Sequence, residues 1–206
     1  MKRLSVGGFI PDWLNLEDPD LRETQAKCLW DKGWGTELGI RTFQQYLFTV
    51  PPVPQSLLAH DPLLGRLVLC DPRPKYAVSS RMAGIRHVEL GYGESSIVPW
   101  DNRHEDGAEP FWLRAHGGWH NRGRKPSDCR RDCIGDLLAG TAQVGIALCA
   151  HDPTLMGRRC MMDLPGSVHC LRRQCVYLHV FNEMQLDVHT SDNATPGVGS
   201  VVFRRK

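Results

Sequence analysis

The sequence predicts a single α+β domain, or a mixed α/β one. A small sheet carries a buried helix near residues 141–151 and ends in a C-terminal antiparallel hairpin. Three observations predict it. "GTAQVGIALCAHDP" is apolar nearly all round, the pattern of a helix with no solvent face. "CVYLHVF" and "MQLDVH" alternate apolar and polar residues, as half-buried strands do. The chain has 206 residues, 41% hydrophobic and 23% charged, which supports one well-buried core and argues against general disorder.

Taken from the N-terminus, "EDPDLRETQAKCLWDKGWG" predicts a helix with Asp18 as N-cap, Pro19 in the first turn and Gly33 or Gly35 at its end. A second helical stretch in "TELGIRTFQQYLF" must stop at "VPPVP", which cannot continue a helix. Residues 1–55 thus form a helical extension and 56–206 the α+β domain. "GRLVLCDPRP" reads as a buried strand, "PKYAVSSRMAGI" as a short helix closing on Gly84, and "RHVEL" as a second strand. That order permits a right-handed crossover onto a parallel pair. From Gly91 to about Cys133 the chain is polar and glycine-rich, and only "PFWLRAH" resembles a strand. Trp100, Trp112 and Trp119 argue against disorder there, because they need burial. Thr141 caps the buried helix and Asp152-Pro153 ends it.

The hairpin allows a sharper inference. Val176, Leu178 and Val180 form one apolar set, and Met184, Leu186 and Val188 the other. A two-residue Asn182-Glu183 turn would pair Val180 with Gln185 and place the two sets on opposite faces. The loop must therefore have an odd number of residues, or the ladder a bulge.

The formal net charge is +2, too mild to name a partner. No run approaches the roughly 18 apolar residues a membrane span needs, so no membrane partner is expected. Pro11 and Asp12 interrupt the apolar stretch after the basic start, and a secretory leader needs an unbroken one; the expected compartment is the cytoplasm. The eight cysteines are then expected to be free thiols, with Cys70 and Cys149 acting as small hydrophobes inside "RLVLC" and "GIALC".

"TAQVGIALCAHDPTLM", "MDLPGS" and the late Gly199-Ser200, preceded by "RLVLCDPR", "MAGI", "PWDNRHEDGAEPFW" and "NRGRKPSDCR", resemble a family of bacterial hypothetical proteins plentiful in candidate-phylum genomes. The resemblance spans roughly residues 60–200 and implies no particular activity. Members tend to carry Glu where this chain has Gln143, and a serine- or glycine-rich tail where this one ends "VVFRRK".

Candidate sites follow from residue chemistry. In "CMMDLPGSVHC", Leu164-Pro165-Gly166-Ser167 fits a type II turn, which would present Asp163 to a ligand or simply reverse the chain. Cys129 and Cys133, with Cys160, His169, Cys170 and Cys175 downstream, offer zinc-ligand types but lack paired CxxC knuckles. On the polar face of the hairpin, His179, Asp187 and His189 would suit a divalent metal and hence a metal-dependent hydrolase, although a solvated face shows the same alternation. "HNRGRKPSDCRR" follows the acidic "DNRHEDGAE", and its Arg122, Arg124, Lys125, Arg130 and Arg131 lie near Trp112 and Trp119. Arginines beside tryptophans grip phosphates and stack on bases, so a nucleic acid or an acidic protein surface is the expected partner of a non-catalytic binding protein. The competing reading is mutual neutralisation of the acidic and basic loops. Nucleophile elbows, Walker loops and dinucleotide glycine patterns are missing from the sequence.

Overall fold

Where the chain is apolar all round it forms the centre of the molecule, and everything else is arranged about that centre. The structure, a computed structural model, describes residues 20–59, 61–87, 96–157, 161–171, 174–180, 182–188 and 193–205. Four helices come first: α1 (Leu21–Asp31), α2 (Trp34–Glu37), α3 (Phe43–Thr49) and α4 (Gln55–Leu58). The expected caps Asp18 and Pro19 lie outside the described residues. The stretch predicted as one helix is two, because Gly39 adopts φ +69° between them. Thr42 then restarts the helix with a capping box: its hydroxyl accepts from the Gln45 amide, and the Gln45 side chain accepts from the Thr42 amide.

Next come β1 (Arg66–Cys70), α5 (Tyr76–Met82), β2 (Arg86–His87), β3 (Ile97–Pro99), β4 (Phe111–His116), α6 (Pro126–Arg131) and β5 (Leu137–Ala139). The chain ends with α7 (Ala142–His151), β6 (Met161–His169), β7 (Cys175–Val180), β8 (Met184–Val188), β9 (Val198–Ser200) and β10 (Val202–Arg205). As expected, α5 is followed by Gly84 in the left-handed region, at φ +74°.

Two sheets replace the single small one expected. The first has the order β1-β4-β10-β5 and is antiparallel throughout. The second has the order β2-β8-β7-β6-β3, with β9 also on β6; the β2–β8 and β6–β9 pairs are parallel and the others antiparallel. The β1–α5–β2 segment is therefore not a crossover within one sheet, since β1 and β2 belong to different sheets.

All ten residues of α7 are buried. Its Thr141 cap accepts from the Val144 amide, as the sequence predicts. Gly145 lets the helix lie against the second sheet: a Cβ there would sit 2.7 Å from Leu164 and 3.0 Å from Leu178. On the side of the first sheet, the His151 ring meets the Leu69 carbonyl at 2.9 Å. The outer edge of β1 is also closed by Gln25 of α1, whose amide donates to the Leu67 carbonyl and accepts from the Leu69 amide. Leu21, Ala26, Leu29, Trp34 and Tyr46 of the N-terminal helices join the same apolar cluster as α7 and both sheets.

The hairpin register follows the parity argument. Val176 pairs with Val188, Leu178 with Leu186 and Val180 with Met184, leaving three residues between the strands.

"MDLPGS" is the main correction. It is not a turn. Asp163, Pro165, Gly166 and Ser167 all lie in β6, whose ladder with β7 shifts register between Leu164 and Val168. Gly166 is needed there for close approach: a Cβ would lie 2.3 Å from the Ala139 carbonyl oxygen. Its amide donates to the Gly140 carbonyl, and its own carbonyl accepts from the Trp100 amide. The Ser167 hydroxyl accepts from the Ala142 amide at the start of α7. The bulge thus ties β6, the end of β5 and the head of the central helix into one joint.

Candidate functional site

The head of α7 opens on a cleft of about 720 Å³, within the range that small-molecule sites occupy. One wall is the loop after β1, Pro72 to Tyr76; the other is His104 to Ala108, with Pro99 beside it and Gln143 of α7 at the back. Three prolines and Tyr76 give flat apolar walls, and Arg73, Lys75, Glu105 and Asp106 supply charge.

Each wall is fixed by bonds that follow from its sequence. Arg73 lies two residues beyond the buried Asp71 and grips both oxygens of that carboxylate, through Nε at 2.8 Å and Nη2 at 2.7 Å. Tyr46 donates its hydroxyl to the same carboxylate at 2.9 Å. Gln143 donates to the Pro74 carbonyl at 3.2 Å, joining this loop to the central helix. On the other wall, Asp101 caps a short 3₁₀ turn by accepting from the Arg103 amide, and it accepts from His104 Nδ1 at 2.6 Å. His104 Nε2 accepts from the Ala139 amide, so the proton of the neutral ring is on Nδ1. Burial lowers the His104 pKa, and Asp101 only partly restores it. Arg205 donates to the carbonyls of Glu105 and Arg103.

Asp106 stands at the centre of this arrangement. Its Oδ1 accepts from the Thr141 hydroxyl at 2.5 Å, and its Oδ2 from the Tyr76 hydroxyl at 3.4 Å. Thr141 thereby serves both the helix and the carboxylate. Burial pushes the Asp106 pKa up to about 6; the Thr141 and Tyr76 hydrogen bonds and the Arg205 charge oppose the rise without cancelling it. A carboxyl that titrates near neutrality beside a cleft is a common mark of a functional site. Burial also raises the Tyr76 pKa, with Asp106 adding to it, so the phenol remains a hydrogen-bond donor.

The residues singled out in the sequence are scattered by the fold. Trp112 is fully buried and donates to the Pro51 carbonyl, so it is core and meets no partner. Trp119 is 58% exposed, with the Arg122 guanidinium 3.7 Å from its ring centre. Arg130 stacks on Trp100 at 3.8 Å and donates to the Pro165 carbonyl, a bond that braces the β6 bulge. Arg124 pairs with Asp132, and Arg131 with Asp128. Lys125 is exposed just before α6. In these two ion pairs the basic loop meets the local aspartates Asp128 and Asp132.

The hairpin face expected to be solvated is so only in part: Tyr177, Gln185 and Asp187 are half-buried. His179 is only 4% exposed, stacks on Tyr177 and lies 3.9 Å from Asp187; Asp163 on the neighbouring strand is buried too. His189 and Cys160 lie outside the described residues. Among the described residues no group of three or more His, Cys, Asp or Glu is placed to hold a metal. The seven described cysteines are free thiols, and burial drives that of Cys149 up to about 12. Among the described residues no helix is long and apolar enough to cross a membrane.

Sequence reasoning missed Asp106, Tyr76 and Arg73. The available signal was two short proline-bounded segments dense in charge, "DPRPK" and "HEDGAEP", with rigid loop backbones suited to lining a site. No family model, curated protein or solved structure matches the chain.

Proposed function

We propose that the chain is a non-catalytic binding protein whose small-molecule ligand seats in the cleft at the head of α7. The observation that supports this reading is the Asp106 carboxylate, held by two hydroxyls from separate helices and turned toward a cleft with flat apolar walls. Asp106 is half-buried, and a carboxylate partly withdrawn from water is costly to build into a fold; a ligand that meets its remaining acceptor sites offsets that cost. The walls are already set by Arg73–Asp71, His104–Asp101 and Arg205, so little ordering entropy is lost on binding.

The test is an amide-resolved NMR titration with three ring compounds: benzamidine, benzoate and benzyl alcohol. At least one is expected to shift the amides of Arg73, Asp106, Gly107 and Gln143 saturably. Ala108→Trp, which fills the cleft from an exposed position, is expected to abolish the shifts. Silence with all three compounds, or unchanged binding in Ala108→Trp, removes this reading.

A second surface is favoured by one observation, the exposed Trp119 with Arg122 stacked on it. On this reading it grips single-stranded nucleic acid by stacking and phosphate contact. Fluorescein-labelled oligo-dT should then bind with a salt-dependent affinity that Trp119→Ala weakens about tenfold or more, in line with the 1–3 kcal/mol of base stacking. Anisotropy that stays flat at low salt rules it out.

A further inference from the structure

The cleft is lopsided in charge, and the imbalance bears on what it holds. Arg73 brings no net charge to it, because its guanidinium is bound by both oxygens of Asp71, by the Thr49 hydroxyl and by the Tyr46 ring face. His104 is neutral, with both ring nitrogens engaged. The remaining charged residues of the lining are two acids, the half-buried Asp106 and the exposed Glu105, against the exposed Lys75. The head of α7 is also a poor seat for an anion: its Ala142 amide is taken by Ser167 and its Val144 amide by Thr141.

From this geometry, and resting on the binding reading above, we infer that the cleft selects a ligand bearing a cationic nitrogen. A protonated amine or amidinium would direct its N–H groups at Asp106 while its apolar body lies against Pro72, Pro74 and Tyr76. Each Asp106 oxygen accepts one hydroxyl bond and keeps acceptor capacity for a second. Tyr76 offers its ring as a further cation-attracting surface. The groups that meet or act on Asp106 are Thr141 before α7, Tyr76 on α5, Cys70 on β1 and Arg205 on β10, and Glu105 precedes it in its own loop. Of these only Arg205 is cationic; two of its five donors go to the Arg103 and Glu105 carbonyls, and its charge lowers the Asp106 pKa without cancelling the rise that burial causes. Burial therefore still dominates, and an arriving cation supplies what the carboxylate lacks.

The sign of the pH effect follows. The cation prefers ionised Asp106, whose pKa is near 6, so proton and ligand compete below that value. Affinity is expected to be flat above pH 7 and to fall about tenfold between pH 7 and 5.

The titration above, run at pH 7.5 and pH 5.0, tests this. Benzamidine is expected to bind more tightly than benzyl alcohol and benzoate, to weaken about tenfold at pH 5.0, and to lose that pH dependence in Asp106→Asn together with most of its affinity. If Asp106→Asn fails to fold, Asp106→Glu, which keeps the charge, should retain the preference for benzamidine. Preferential binding of benzoate or benzyl alcohol at the cleft amides, or benzamidine affinity unchanged in Asp106→Asn, would overturn the cation inference and leave the binding reading standing. No shift with any compound removes both.

Discussion

Two charged segments lie only ten residues apart in the chain, residues 101–109 and 120–131, and the fold treats them differently. The acidic segment is tied to the frame through its first half: Asp101 to His104, His104 to the Ala139 amide, the Glu105 carbonyl to Arg205, and Asp106 to Thr141 and Tyr76. The basic segment keeps most of its charge at the surface, with Arg124 on Asp132 and Arg131 on Asp128, and inserts one cation, Arg130, between Trp100 and the β6 bulge. Exposed pairs of that kind contribute little, whereas the half-buried Asp106 carboxyl has its titration shifted by its surroundings. Charge density in a sequence is thus a poor guide to a site. How completely the charge is withdrawn from water is a better one.

That contrast can be broken most severely at the joint behind the acidic segment. Gly166→Val places a side chain against the Ala139 carbonyl and is expected to cost about 3 kcal/mol or more, seen as a fall in the thermal midpoint of at least about 6 °C. His104→Ala is expected to follow at about 2 kcal/mol, because it strands the Ala139 amide and releases Asp101.

A pH series sharpens the comparison further. The folded pKa of Asp106, near 6, lies above its ordinary value of 3.8, so the folded state holds its proton more tightly than the unfolded chain. The resulting stability is fully present below pH 3.8 and is lost as the pH rises through 6. The full swing is about 2–3 kcal/mol at 1.36 kcal/mol per pH unit. Chemical denaturation from pH 4 to pH 7 should show it in the wild type and should lose that component in Asp106→Asn. The mildest change is in the basic segment, where Arg124→Ala is expected to leave the melting temperature within error. A shift there as large as that of His104→Ala would erase the distinction between the two segments.

The elements that the sequence revealed are those whose physics is local. The helix over 142–151 is apolar on every side and begins on a capping threonine. The hairpin register follows from a period of two, which admits one parity of loop. The closing glycine after α5 is a matter of backbone freedom. The errors lie where a local pattern is open to a distant neighbour. Pro-Gly-Ser at 165–167 has the residues of a turn, but Gly140, Trp100 and Ala142 supply partners that hold it as a bulged strand. Trp112 and His179, assigned to surfaces by their neighbours in sequence, are buried by strands and helices from elsewhere in the chain.

The candidate site is the clearest such case. Asp106 meets Tyr76 across 30 residues and Thr141 across 35, and only the meeting withdraws it from water. The sequence by itself determined the α+β class, the central helix with its cap, and the pairing of the last hairpin, because side-chain periodicity and capping act within a turn or a strand. The division into two sheets, the bulge that joins them and the titration of Asp106 were decided by the tertiary structure alone, because exclusion of water from a carboxylate is a property of everything packed around it.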